Sequence, residues 1–293
     1  MKKIIELYCN ICQCNDSRFV EGKQRQSNNN CPKFSDEELI TVYLWGKAQQ
    51  LLTRKAIYNY TKEHLLDLFP KLPSYQAFCR RLNRLAPAFR ALAEIWSEQT
   101  IARTEQTSCY VVDSCPIMLA RHSRSNRGKV APELCRLCRN PTRNEWYFGV
   151  KLHVFGMLRP QKLPVPCAMY ISSSSLCDLW AAKQIFRDCS PISNGTLLAD
   201  RAYIDADWAE ELMSQHNVRI VIPRKKQKYD TLCSRDAVST RISSLRQPIE
   251  SLFHWINTKS GIQDASHVRS LEGLLFHVFA SLAFACLLLR FYY

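Results

Sequence analysis

The sequence predicts an α/β protein: a mixed five-stranded sheet flanked by helices over residues 106–293, preceded by an all-helical domain over residues 1–105. Three observations predict it. Apolar residues recur at helical spacing through the first hundred positions. From Ser108 the pattern changes to short runs rich in β-branched and aromatic residues. Those runs then alternate with helical segments. At 293 residues and 46% hydrophobic, the chain can bury a large core and divide into two domains.

In the first domain, Ser35-Asp36-Glu37-Glu38 is a capping box with acids in the first turn, so a helix starts there. A second helix covers Arg54 to Phe69 and ends at Pro70 and Pro73. Ser74 caps a third, Tyr75 to Leu85, whose polar side carries Arg80, Arg81 and Arg84. A fourth runs from Pro87, at a first-turn position, to about Glu105. Short helices with tight turns and an arginine cluster suit a helix-turn-helix type of DNA contact; a solvated polar face is the alternative.

Strands follow at Ser108–Val112, Trp146–Phe155 and Pro166–Ile171, with antiparallel pairing as the simplest arrangement. The segment after Asp113 reads as irregular. A helix over Leu176–Asp188, a strand over Gly195–Ala199, a helix over Asp205–His216, a strand over Val218–Ile222 and a helix from Pro248 complete the order. Three strands, helix, strand, helix, strand, helix is the ribonuclease H-like order. There the fourth strand returns parallel beside the first, which would make Asp113 and Asp200 neighbours at the carboxyl-side strand ends.

Those acids are the candidate site. Each follows a buried apolar run, where an uncompensated charge costs several kcal/mol. Such an acid is either exposed as a strand-end turn residue or neutralised by a cation. A third acid, Glu250, opens an amphipathic helix, although a first-turn Glu is also stabilised by the helix dipole. Three carboxylates suit hard divalent ions: two Mg²⁺, for which Mn²⁺ can substitute, with Asp113 bridging both, Asp200 on one and Glu250 on the other. Lys151 and His153, alternating outward on a strand, could orient a phosphate, or simply face solvent. Pro248 fits a helix's first position, which would leave Arg246 before the helix.

Lys plus Arg number 40 against 26 acids, a net charge of +14 that points to a polyanionic partner. Two basic stretches, Arg121–Lys151 and Arg219–Arg246, flank strand ends and could wall a phosphate-lined channel; the run Arg224, Lys225, Lys226, Lys228 is the best candidate to track a DNA backbone. The apolar stretch Leu271–Phe291 carries Glu272, His277 and Arg290 and reads as a buried closing helix rather than a membrane span. Met1-Lys2-Lys3 runs straight into Ile4-Ile5-Glu6-Leu7, which is no signal peptide, so a cytoplasmic protein with no membrane partner is expected. The 14 cysteines are then reduced thiols. Cys9-x-x-Cys12-x-Cys14 with Cys31, and Cys135-x-x-Cys138, have partial zinc spacing but lack a completed ligand set.

Four pieces carry a resemblance: Val-Val-Asp113-Ser-x-Pro116-Ile117, Tyr147-Phe-Gly149-Val-Lys151-Leu-His153, Leu198-Ala-Asp200-Arg-Ala-Tyr203 and Arg246-x-x-Ile-Glu250-x-x-Phe253. In this order and spacing the chain resembles the DDE transposases of compact bacterial insertion sequences. The segments starting at Lys129 and at Leu72 resemble the same group. The resemblance implies Asp113, Asp200 and Glu250 as catalytic and metal-binding acids. Arg80, Arg81, Arg84, Lys129, Lys151, His153, Arg224, Lys225, Lys226, Lys228 and Arg246 become the DNA contacts. It also implies a protein that binds terminal inverted repeats, cuts DNA 3′ ends with metal and joins them to a target, acting as a homodimer in the cytoplasm and on the nucleoid when DNA-bound. Of the Tyr, Arg and Lys that often surround the family's Glu, Arg246 matches, while Ser243 and Asn257 stand at the other two places. A decayed relative that only binds DNA, a nuclease of the same fold without strand transfer, and a basic membrane-associated protein are the rival readings.

Overall fold

The computed structural model describes residues 2–23, 32–105, 107–140, 144–223 and 237–292. The helices are α1 Lys2–Cys12, α2 Ser17–Gly22, α3 Asp36–Ala48, α4 Arg54–His64, α5 Tyr75–Arg84, α6 Ala86–Arg103, the single turn α7 His122–Ser125, α8 Asp178–Cys189, α9 Ala206–His216, α10 Ala237–Ser260 and α11 Leu271–Tyr292. The strands are β1 Cys109–Arg121, β2 Arg136–Asn140, β3 Glu145–Arg159, β4 Lys162–Ser173, β5 Gly195–Leu198 and β6 Val218–Val221. The chain divides into two compact units, one of Met1–Trp96, Ile256–Ile262 and Val268–Tyr292, the other of Ser97–Trp255 and Gln263–His267. The C-terminal helix belongs to the first unit although it follows the sheet in sequence.

In the first unit the capping box forms as its residues dictate. Ser35 Oγ accepts from the Glu38 backbone N–H at 3.1 Å, and the Glu38 carboxylate accepts from the Ser35 N–H at 2.5 Å. Tyr43, Phe89 and Phe276 meet edge to face with centroids 4.9–5.6 Å apart, and the Arg54 guanidinium lies over the Phe276 ring. By length and composition α11 could cross a membrane, but most of it is buried, and its His277 Nε2 hydrogen-bonds the Ile262 carbonyl at 2.9 Å.

The second unit is a mixed α/β structure around a sheet of six strands, one more than the sequence suggests. The order is β2-β3-β1-β5-β6, and β4 pairs with β3 on the same side as β2. β1 runs antiparallel to β3 and parallel to β5, and β5 is parallel to β6. The expected antiparallel start and parallel return are both present. The added strand, β2, is five residues long and two of them are arginines, so no apolar run marks it.

Two expectations near the acids are corrected. β1 does not stop at Val112 but continues through Asp113 for a total of 13 residues, so Asp113 lies inside a central strand and not at its tip. It persists because β3 pairs with it from Tyr110 to Arg121. A Cβ at Gly149 would run into the Ile117 carbonyl, so only glycine fits where β3 presses against β1. Second, Pro248 lies inside α10 and does not start it. Proline removes one backbone bond and strains the turn before it, yet the helix continues on both sides, where Ser244 Oγ and Ser251 Oγ back-bond to the Arg241 and Gln247 carbonyls. Arg246 is therefore helical, one turn before Glu250.

Candidate active site

Side chains alternate across a strand, and this sorts the site into two faces. Val111 pairs with Gly156, over which Ile249 of α10 packs, so Asp113, two residues on, faces α10. Val112 pairs with Phe155 and Ser114 with His153, on the opposite face, where Val112, Phe155, Phe186, Tyr203 and Trp208 share a buried cluster with α8 and α9.

Asp113 Oδ1 accepts from the Ser114 backbone N–H at 2.8 Å, and Oδ2 lies 3.5 Å from Arg246 Nη2. Burial pushes the Asp113 carboxyl up to about 6. The Ser114 N–H and Arg246 oppose that, while Asp200 and Asp178 add to it. Asp200 lies just past β5. Cys109 pairs with Thr196 and Val111 with Leu198, so β5 ends beside β1 two residues before each acid. The Asp200 carboxylate acts on the Asp113 carboxyl through space, which places the two acids in the same neighbourhood. Asp200 Oδ1 accepts from the Ala202 N–H at 2.8 Å, capping the 3-10 turn Arg201–Tyr203.

Glu250 is exposed on α10. Residues four apart on a helix share a face, so it projects on the side of Arg246, whose guanidinium reaches Asp113. Among the described residues no three of His, Cys, Asp and Glu gather closely enough to hold a metal ion. Arg246 supplies the positive charge that Asp113 meets here. The donor set still fits a hard divalent ion. Asp113 and Asp200 offer hard carboxylate oxygens, and the raised Asp113 shows a position where burial of negative charge outweighs its compensation.

An acid unmarked in the sequence stands on the other face. Asp178, first residue of α8, accepts at Oδ1 from Ser114 Oγ at 3.0 Å and pairs with Lys151 Nζ at 3.0 Å. The only local signal was an acid in a helix's first turn, which the helix dipole explains without any site. The Lys151 ammonium also donates to the Leu176 carbonyl at 3.2 Å. His153 is 1% exposed, with Nε2 2.7 Å from Ser172 Oγ. Burial pushes its pKa down to about 4, against the pull of Asp178. Tyr203 is equally buried and its hydroxyl finds no partner among the described residues. Burial and the carboxylates of Asp178, Asp113 and Asp200 keep that phenol protonated.

A family model described as "Transposase DDE domain" matches residues 103–270, more than half of the chain and all of the sheet. The chain belongs to the DDE transposase family. It is accordingly a DDE-type transposase, an enzyme with DNA as its partner and a dependence on divalent metal. Among solved structures it is similar to the piggyBac transposase in a synaptic complex with hairpin DNA, with a TM-score of 0.43 and 9% identity over 97% of this chain and 72% of that one. No curated protein matches it.

The transposase distributes its basic candidates unevenly. Arg80 and Arg84 are exposed on α5, and Lys129 is exposed after α7. Arg81 is turned inward, its Nη2 2.7 Å from Asp36 Oδ1 and its Nη1 donating to the Phe34 carbonyl at 2.7 Å. Lys151 and His153 make the internal contacts above, on the face opposite Asp113, and Arg246 is engaged with Asp113. Arg224, Lys225, Lys226 and Lys228 lie outside the described residues, as does Cys31. Cys9 and Cys12 are exposed on α1, Cys135 is buried and Cys138 is half-buried.

Proposed function

We propose that this transposase binds the terminal inverted repeats of its own bacterial insertion sequence, cuts the 3′ ends and joins them to target DNA. We assign its sheet to the ribonuclease H-like fold, with Asp113, Asp200 and Glu250 holding two Mg²⁺ ions. The observation that carries the reading is that β1, which holds Asp113, runs parallel beside β5, which ends two residues before Asp200, with Arg246 of the Glu250-bearing helix 3.5 Å from Asp113. Bound Mg²⁺ would supply activation of the attacking water or 3′ hydroxyl and neutralisation of the leaving oxygen. Asp113, with a pKa of about 6, is ionised at neutral pH and ready to ligate. Arg246 screens it in the absence of metal and stands where a scissile phosphate would need a cation.

The exposed Arg80 and Arg84 of a helix-turn-helix-like front domain, with Lys129, supply phosphate contacts, as do the runs flanking the strands. The active species is a homodimer in the cytoplasm, on the nucleoid when DNA-bound. The test is incubation with Mg²⁺ and repeat-end DNA, followed by mapping of new 3′ ends. Asp113→Ala, Asp200→Ala and Glu250→Ala should each reduce cleavage to background with binding near wild type and a steep salt dependence of binding retained. Cleavage retained in any one removes that residue from the site, and cleavage without joining marks a nuclease instead.

A further inference from the structure

We propose that Asp178 is a positioning residue for DNA cleavage, acting through Ser114 and Lys151 from the sheet face opposite Asp113. The inference rests on the acid site of the proposed function. Ser114 is the connection. Its backbone N–H donates to Asp113 Oδ1 at 2.8 Å, and its hydroxyl donates to Asp178 Oδ1 at 3.0 Å. One residue thus ties both acids, and a shift of Asp178 would move the peptide that orients the Asp113 carboxylate.

Lys151 holds Asp178 in turn, and its ammonium is fixed a second time by the Leu176 carbonyl. An acid at a helix's first residue is already favoured in solvent, so nothing about α8 itself requires Asp178 to turn inward. What it gains inside is two directed donors on one oxygen.

His153 shows that the arrangement is built. Ser172 Oγ donates its single proton to the Ser173 carbonyl at 3.1 Å, so it accepts from His153 Nε2–H. The neutral ring then presents a bare Nδ1, buried and without a partner among the described residues, 3.9 Å from Asp178 Oδ1. A charged imidazole would compete with Lys151 for that oxygen. A neutral one leaves the ion pair to Lys151 and walls off its far side.

Supports of metal ligands typically change metal affinity or activity by about 10–100-fold when removed. The test compares wild type, Asp178→Asn, Ser114→Ala and the double variant. Readouts are repeat-end cleavage, Mg²⁺ binding by calorimetry without DNA, repeat-end DNA affinity, and amine-reactive labelling of Lys151 scored by mass spectrometry. We expect each single variant to raise the Mg²⁺ dissociation constant and lower the cleavage rate by about 10-fold or more, with DNA affinity within about 3-fold. Lys151 should be protected in wild type and labelled in Asp178→Asn. The double variant should lose no more than the worse single, because both act on one path. Wild-type Mg²⁺ affinity and cleavage in Asp178→Asn, or multiplying losses in the double variant, would overturn the proposal. Should Asp178→Asn fail to fold, wild-type values in Ser114→Ala overturn it alone. A wild-type protein that neither binds Mg²⁺ nor cleaves overturns the proposed function itself, and this inference with it.

Discussion

Asp113 and Asp178 touch the same serine from opposite faces of one strand, and the protein treats them differently. Asp178 meets a lysine at 3.0 Å and a hydroxyl at 3.0 Å, so its charge is compensated internally. Asp113 accepts from one backbone N–H at 2.8 Å and more distantly from an arginine at 3.5 Å, and burial pushes its carboxyl up to about 6. One acid is satisfied by the fold, the other is held short of compensation. The contrast teaches where negative charge remains costly after the chain has folded: at Asp113, whose burial outweighs its partners.

Asp113→Asn gives the largest effect expected of this contrast. Its carboxyl has an ordinary value of 3.8 and is raised to about 6 in the fold, so the penalty is absent below about pH 4, grows between those values and is complete above about pH 7. Two units correspond to about 3 kcal/mol as an upper bound. Metal-free Asp113→Asn should therefore melt above wild type at pH 8 and level with it near pH 4, while losing cleavage. Added Mg²⁺ should close the gap at pH 8 by stabilising wild type alone. A melting difference independent of pH from 4 to 8 would break the contrast.

A smaller effect of opposite sign tests the other face. Lys151→Met leaves Asp178 without its cation, and since both side chains are about a fifth exposed the cost should be about 1–2 kcal/mol in chemical denaturation. A neutral outcome would show that Asp178 does not need its lysine. The smallest shift concerns Tyr203, whose buried hydroxyl has no partner among the described residues. Tyr203→Phe removes only that oxygen and should stabilise the metal-free protein by about 1 kcal/mol. Destabilisation in a denaturant titration would mean the hydroxyl is satisfied after all.

Much of the architecture was legible before folding. The capping box at Ser35, the cap at Ser74 and the antiparallel-then-parallel pairing followed from the sequence, while α4 stops at His64, short of the expected Phe69. The failures have physical causes. The segment after Asp113 reads as irregular, because nothing nearby in sequence shows that β3 will pair along the whole of β1 and that Arg246 will meet the buried acid. Pro248 read as a helix start, because proline's ordinary cost inside a helix outweighs what a local pattern can offset. Lys151 and His153 read as outward-facing, and their face is covered by α8, whose position no period-2 pattern reveals.

The bare chain was enough to determine that two apolar runs each deliver an aspartate, since side-chain period is written into neighbouring residues, and the order of elements predicted the parallel neighbourhood that β1 and β5 adopt. Folding in three dimensions alone decided that Asp178 would join Ser114 and Lys151, that Arg81 would turn to Asp36, and that Arg246 would face Asp113 across 133 positions. Charge compensation acts through space over a few ångströms and carries no signature along the chain.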